Sequence, residues 1–129
     1  MEIHFIELED VLIYHEKLIE LFGGSQGVRD MGLLQSALAM PGARFGGEFL
    51  HASIQEMAAA YLFHIVGNHP FIDGNKRTGA AVARVFLMLN GAAFDPSEKE
   101  YGDLVLAVAS GQLGKPEAAV FFKRHVRPA

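Results

Sequence analysis

The chain has 129 residues, half of them hydrophobic and one-fifth charged, with a formal net charge of −4. That suits one domain, residues 1–129, with a core large enough to fold without staples, and it excludes disorder as the main state. Cysteine is absent, which excludes disulfides, thiolate metal sites, iron–sulfur clusters and cysteine nucleophiles, and the acidic balance argues against a broad nucleic-acid-binding face. Ile3, His4, Phe5 and Ile6 are suited to a short N-terminal strand. Leu8, Val11, Leu12, His15, Leu18, Ile19 and Phe22 then recur at helical spacing up to the Gly23-Gly24 stop. A shorter helix is predicted from about Asp30 to just before Pro41. Residues 42–51, with three glycines around Phe45 and Phe49, read as a loop or small hairpin. Ser53-Ile54-Gln55-Glu56 has the form of a capping box and opens a helix with Ile54, Met57, Ala58, Tyr61, Leu62 and Ile65 on its core face. The next helix runs from about Gly74 to Leu89, with Val82, Val85, Phe86 and Leu89 inward and Asn90-Gly91 as its stop. Ser97-Glu98-Lys99-Glu100 caps a fifth helix ending near Gly111, and Pro116 starts a sixth reaching about Val126. The sum is an all-α bundle of about six helices, with at most a short N-terminal strand or flap hairpin.

One segment carries chemistry beyond what a helical connection needs: His69-Pro70-Phe71-Ile72-Asp73-Gly74-Asn75-Lys76-Arg77. Gly74 and Asn75 fall where a helix begins, and the first N–H groups of a helix lack internal partners and carry partial positive charge. Both residue types tolerate the backbone angles that turn successive N–H groups toward an anion. Lys76 and Arg77 add full positive charge, the arginine as a bidentate phosphate donor. Gly74, Asn75, Lys76 and Arg77 together therefore read as a phosphate site at a helix N-terminus. Asp73 is the carboxylate expected to hold Mg²⁺ beside phosphates. His69 is suited to act as general base on a hydroxyl, and Phe71 to pin the loop. Each residue also has a plain alternative role, with Asp73 as a helix cap and both cations solvated. It is the whole string that points to a site. It is not a P-loop, because no Gly-x4-Gly-Lys-Ser/Thr pattern occurs.

This string resembles the core motif of the Fic family, His-x-Phe-x-Asp/Glu-Gly-Asn-x-Arg-x-x-Arg. His69, Phe71, Asp73, Gly74, Asn75 and Arg77 match it. Lys76 stands where AMP-transferring members have glycine, and Ala80 where they have a second arginine. Asn75-Lys76-Arg77-Thr78 is instead similar to the Doc branch, the "death on curing" toxins of toxin–antitoxin modules. Chain length, the segment Phe22-Gly23-Gly24-Ser25-Gln26-Gly27-Val28-Arg29-Asp30 and Phe86-Leu87-Met88-Leu89-Asn90-Gly91 extend the likeness. The resemblance implies a protein kinase that uses ATP and Mg²⁺ and transfers the γ-phosphate to a threonine of a translation factor, elongation factor Tu. It implies His69 as base, Asp73 at Mg²⁺, Gly74 and Asn75 as the anion nest, and Lys76 and Arg77 on phosphates. It also implies a cognate, Phd-like antitoxin bound in a groove of the toxin. The alternatives are a Fic-type AMP transferase and a catalytically silent helical binding module; DNA binding is disfavoured by the charge.

Other residues are secondary. Arg84 follows Arg77 by two turns, and either replaces the missing arginine or is solvated. His15 lies on an apolar face and is expected to be partly buried with a backbone partner. His51, His64 and His125 form no metal-ligand pattern, and no zinc site is expected. Residues 42–51 match in place the Fic flap that docks a target as a strand, with Arg44 available to align it, and are equally an ordinary glycine-rich loop. No stretch approaches the ~20 apolar residues of a membrane span, and the first residues lack signal-peptide character, so a cytoplasmic protein without direct membrane or nucleic-acid partners is expected.

Overall fold

A computed structural model describes residues 2–129. Six helices make up the body: α1 (Leu8–Phe22), α2 (Met31–Ala39), α3 (Ile54–Asn68), α4 (Asn75–Leu89), α5 (Glu98–Ala109) and α6 (Lys115–His125). Two small antiparallel pairs join them: β1 (Arg44–Phe45) with β2 (Glu48–Phe49), and β3 (Ala92–Phe94) with β4 (Val126–Pro128). The all-α expectation holds. The β1–β2 pair turns at Gly46 and Gly47, both at positive φ, which resolves residues 42–51 as a hairpin. The β3–β4 pair had no periodic signal, since each strand has three residues.

Helix α3 is the hub. Eight of its residues are buried, including Met57, Tyr61, Leu62 and Ile65, so it presents more than one apolar stripe to its neighbours. Helix α4 lies against it at Gly79, where a Cβ would sit 2.9 Å from Val66 Cγ2. Glycine is what permits that approach. Phe86 and Phe122 are fully buried between the elements around α3. The caps follow sequence logic with one change. Asp30 accepts from Leu33 N, and Ser97 with Glu100 forms a complete box. At α3, Ser53 Oγ accepts from Glu56 N, but Glu56 reaches past Ser53 to the N–H of Ala52 and also pairs with Lys123 at 3.1 Å.

Three expectations are corrected. Residues 3–6 form no strand. Their backbone partners are side chains: Asn90 exchanges two hydrogen bonds with His4, and Ile6 N donates to the Tyr61 hydroxyl. Lacking a neighbouring strand, the segment is held by one amide that imitates a strand edge. Leu89 is 49% exposed, while Ala83 and Leu87 are buried, because α4 packs on both α1 and α3 and its inner face is turned accordingly. Phe22, placed on the core face of α1, is 62% exposed and lies at the mouth of the cleft described next.

Candidate active site

Helix α3 ends at Asn68, and α4 begins at Asn75. The six residues between them fold into a tight loop that carries the motif. His69 terminates α3 in the left-handed conformation, φ 48 and ψ 54, the one non-glycine residue at positive φ among the described residues. Gly74 caps α4 with φ 78, which costs a glycine little. Phe71 is buried between them. The Asn75 side chain staples the loop: its Oδ1 accepts from Phe71 N at 2.9 Å, and its Nδ2 donates to Phe71 O at 3.0 Å.

The result is a cleft of about 570 Å³, lined by Phe22, Gly23, Gly24, His69, Ile72, Asp73, Gly74, Asn75, Lys76 and Arg77. All six residues singled out by sequence lie on it. His69, Asp73, Lys76 and Arg77 are exposed to it, whereas the Asn75 side chain is buried. Asn75 thus offers the cleft its backbone rather than its amide. The N–H groups of Asn75, Lys76 and Arg77 belong to the first turn of α4 and have no intrahelical partner. Gly74 departs from the expected nest, because its own N–H donates to Asp73 Oδ1 at 2.9 Å. Asp73 Oδ2 accepts from Ser25 N at 3.2 Å. Each carboxylate oxygen keeps a second lone pair, so the donor set fits a cation that completes its shell with phosphate oxygens and water. Among the described residues no cluster of three or more metal-ligating side chains occurs.

Arg77 donates to Gly23 O at 3.2 Å, and its guanidinium stands 5.1 Å from the Phe22 ring centre. Arg84 does not reach the cleft. It pairs with Glu98 at 3.5 Å and lies over the rings of Phe94 and Tyr101. Its side chain is engaged by Glu98 and two rings rather than simply solvated. Ala80 leaves a shallow depression beside Lys76 and Arg77, and its carbonyl accepts from the Tyr101 hydroxyl at 2.7 Å.

Residues outside the motif hold the loop, and sequence reasoning missed most of them. The segment 23–30 runs alongside as a strap. Arg29 N and Asp30 N both donate to Pro70 O, and Ile72 N donates to Gly27 O. Gly24 passes so close that a Cβ would sit 2.7 Å from Asp73 Oδ2. Across the loop, His15 is 3% exposed, its ring stacks on Phe71 at 3.8 Å, and its Nε2–H donates to Asp73 O at 2.8 Å. The expected backbone partner of His15 therefore exists, on the motif loop itself. The signal for the strap was its glycine content and the lone cation Arg29, neither of which shows a periodicity.

The remaining histidines lie elsewhere. His64 Nε2 is 3.0 Å from Lys115 Nζ, and burial with that neighbouring charge pushes the imidazole down to about 4. His51 is buried and likewise lowered, chiefly by desolvation. His125 contacts Asp95 at 3.2 Å and Glu100 at 3.9 Å, beside Arg127, which also binds Asp95. On the hairpin, Arg44 is folded back on the Phe49 ring and the Gly47 carbonyl, while Phe45 is 85% exposed.

A helical domain that ends one helix on an exposed histidine and starts the next on an acid, a glycine and two cations has the site architecture of Fic-type proteins. The chain belongs to the Fic/DOC family, whose model matches residues 5–87. It is 40% identical to Toxin Doc of Mycolicibacterium smegmatis over 110 residues, which covers 82% of this chain and 81% of that protein. It is also 31% identical to Protein kinase doc of Escherichia phage P1 over 120 residues, covering 92% and 93%.

Proposed function

We propose that this chain is a Doc-type toxin that transfers the γ-phosphate of ATP to a threonine hydroxyl of a translation factor, elongation factor Tu, and so blocks translation. The observation that carries this reading is the cleft: a base, a lone carboxylate, two cations and a helix N-terminus converge on one cavity of phosphate-binding chemistry. One relative is named a toxin and the other a protein kinase, which supports the toxin and the kinase parts of this reading respectively. No described helix is long and apolar enough to cross a membrane.

The roles follow from placement. His69 accepts the proton of the incoming hydroxyl, and that oxygen forms the new bond to the γ-phosphorus as the bond to the ADP oxygen breaks. Lys76 and Arg77, with the first-turn N–H groups of α4, hold phosphate oxygens and neutralise their charge. Asp73 would hold Mg²⁺, which would supply positive charge beside the phosphates. The strap and His15 keep Asp73 fixed, and fixed charges are what phosphoryl transfer mainly requires. Lys76 in place of glycine adds bulk and charge at the helix start, and Ala80 withholds a guanidinium. Both disfavour the phosphate arrangement of AMP-transferring relatives. A cognate Phd-like antitoxin is the expected inhibitor.

The test is a dual-label assay. The chain and Mg²⁺ are incubated with elongation factor Tu and ATP labelled at the α or the γ position. Transfer of γ label alone supports the proposal. Transfer of α label makes the chain an AMP transferase, and no transfer to this target or to any protein of a cell lysate makes it a silent binding module.

A further inference from the structure

We propose that Arg29 is a positioning residue that locks His69 in its left-handed conformation and so aims the imidazole into the cleft. This rests on the reading of His69 as the reacting base, and its test includes a measurement that does not need activity. A left-handed backbone costs a non-glycine residue roughly 1–2 kcal/mol, and such strain persists only where surrounding contacts over-determine it. The Asn68 side chain donates to Leu33 O at 3.0 Å and the strap main chain holds Pro70, but the carbonyls of residues 68 and 69 are held by one side chain. Arg29 Nε donates to His69 O at 2.6 Å, and Arg29 Nη2 donates to Asn68 O at 2.9 Å. Those carbonyls lie at the end of α3, where helical acceptors lack partners and a cation is favoured.

The fork is specific to arginine. Two donors on one edge of a planar group span two successive carbonyls, whereas a lysine ammonium is a point charge on a flexible stem. The main chain of the strap already holds Pro70 and Ile72, but among the described residues only the Arg29 side chain bonds the carbonyl of His69. Arg29 is itself exposed, so its removal forfeits little buried packing beside the two hydrogen bonds. Without the fork, Asn68 keeps its bond to Leu33 O, but the His69 backbone relaxes toward ordinary helical angles and the imidazole leaves its place.

The experiment compares wild type, Arg29→Met and Arg29→Lys. Two things are measured on each: the His69 backbone coupling and ring shifts by NMR in the absence of nucleotide, and kcat and KM for label transfer. Arg29→Met is expected to shift the His69 signals toward right-handed geometry, to lower kcat about 10- to 100-fold, and to leave KM for ATP within about twofold. Arg29→Lys is expected to fall between, because it restores the charge without the fork. Unchanged His69 signals in Arg29→Met overturn the proposal, whatever the activity. Shifted signals with unchanged kcat also overturn it, since the conformation would then not aim the base. If the wild type transfers nothing, the functional reading fails, and the NMR comparison alone decides whether Arg29 sets the His69 backbone.

Discussion

The Asn75 staple lends itself to the sharpest stability prediction. Asn75→Ala deletes both hydrogen bonds to Phe71 and leaves a buried N–H and a buried C=O without partners. Each orphaned group costs about 1–3 kcal/mol, less whatever water recovers. The expected loss is therefore roughly 2–4 kcal/mol, a large share of the ~5–15 kcal/mol that holds a domain together. Urea unfolding reads this as a lower midpoint at constant slope. Asn75→Asp separates the two bonds. An ionised carboxylate still accepts from Phe71 N but faces Phe71 O without a donor, so the folded state favours the protonated acid. Its folded pKa is raised. Stability equals or approaches wild type below the unfolded value of roughly 4, and is lost as pH rises through the folded pKa. A loss below about 0.5 kcal/mol in Asn75→Ala, or a flat pH profile in Asn75→Asp, would refute the reasoning.

Three further outcomes are expected. Gly79→Ala forces a Cβ to within 2.9 Å of Val66 Cγ2 and should destabilise by about 1–3 kcal/mol through overpacking, despite alanine's better helix propensity. Ser97→Ala removes the acceptor for Glu100 N and should cost about 1 kcal/mol in urea unfolding. His64, held down to about 4, should give stability that is full above its unfolded value near ~6.5 and declines as pH falls toward 4; because the imidazole is only half-buried, about 1 kcal/mol is expected after solvent screening. His64→Gln should flatten that part of the profile, and an unchanged profile would show that burial there does not oppose protonation.

The fold was legible wherever apolar spacing was long enough to show a period. All six helices have such spacing, or a cap of the Ser97 or Asp30 kind. The β3–β4 pair was not legible, because three-residue strands have no measurable alternation and their pairing joins residues far apart in the chain. Leu89 and Phe22 misled for a different reason. Both sit at helix ends, where the inner face depends on which neighbour the helix meets. The cleft residues were legible because chemistry crowded into one short string. Their supports were not. Arg29 bonds the backbone of His69, 40 positions away, and the Ser25 N–H bonds the Asp73 carboxylate, 48 positions away, and no local pattern encodes that. His15 was visible as a polar residue on an apolar face, but its partner, the Asp73 carbonyl, required the fold.

The central claim is that His69 is the base of the proposed phosphoryl transfer. The most direct test is His69→Ala compared with wild type for nucleotide binding and for the rate of γ-label transfer to elongation factor Tu under single-turnover conditions. The account predicts nucleotide affinity within about twofold and a transfer rate lower by about 10²- to 10⁴-fold, the scale of a lost general base. Transfer at the wild-type rate in His69→Ala would contradict it.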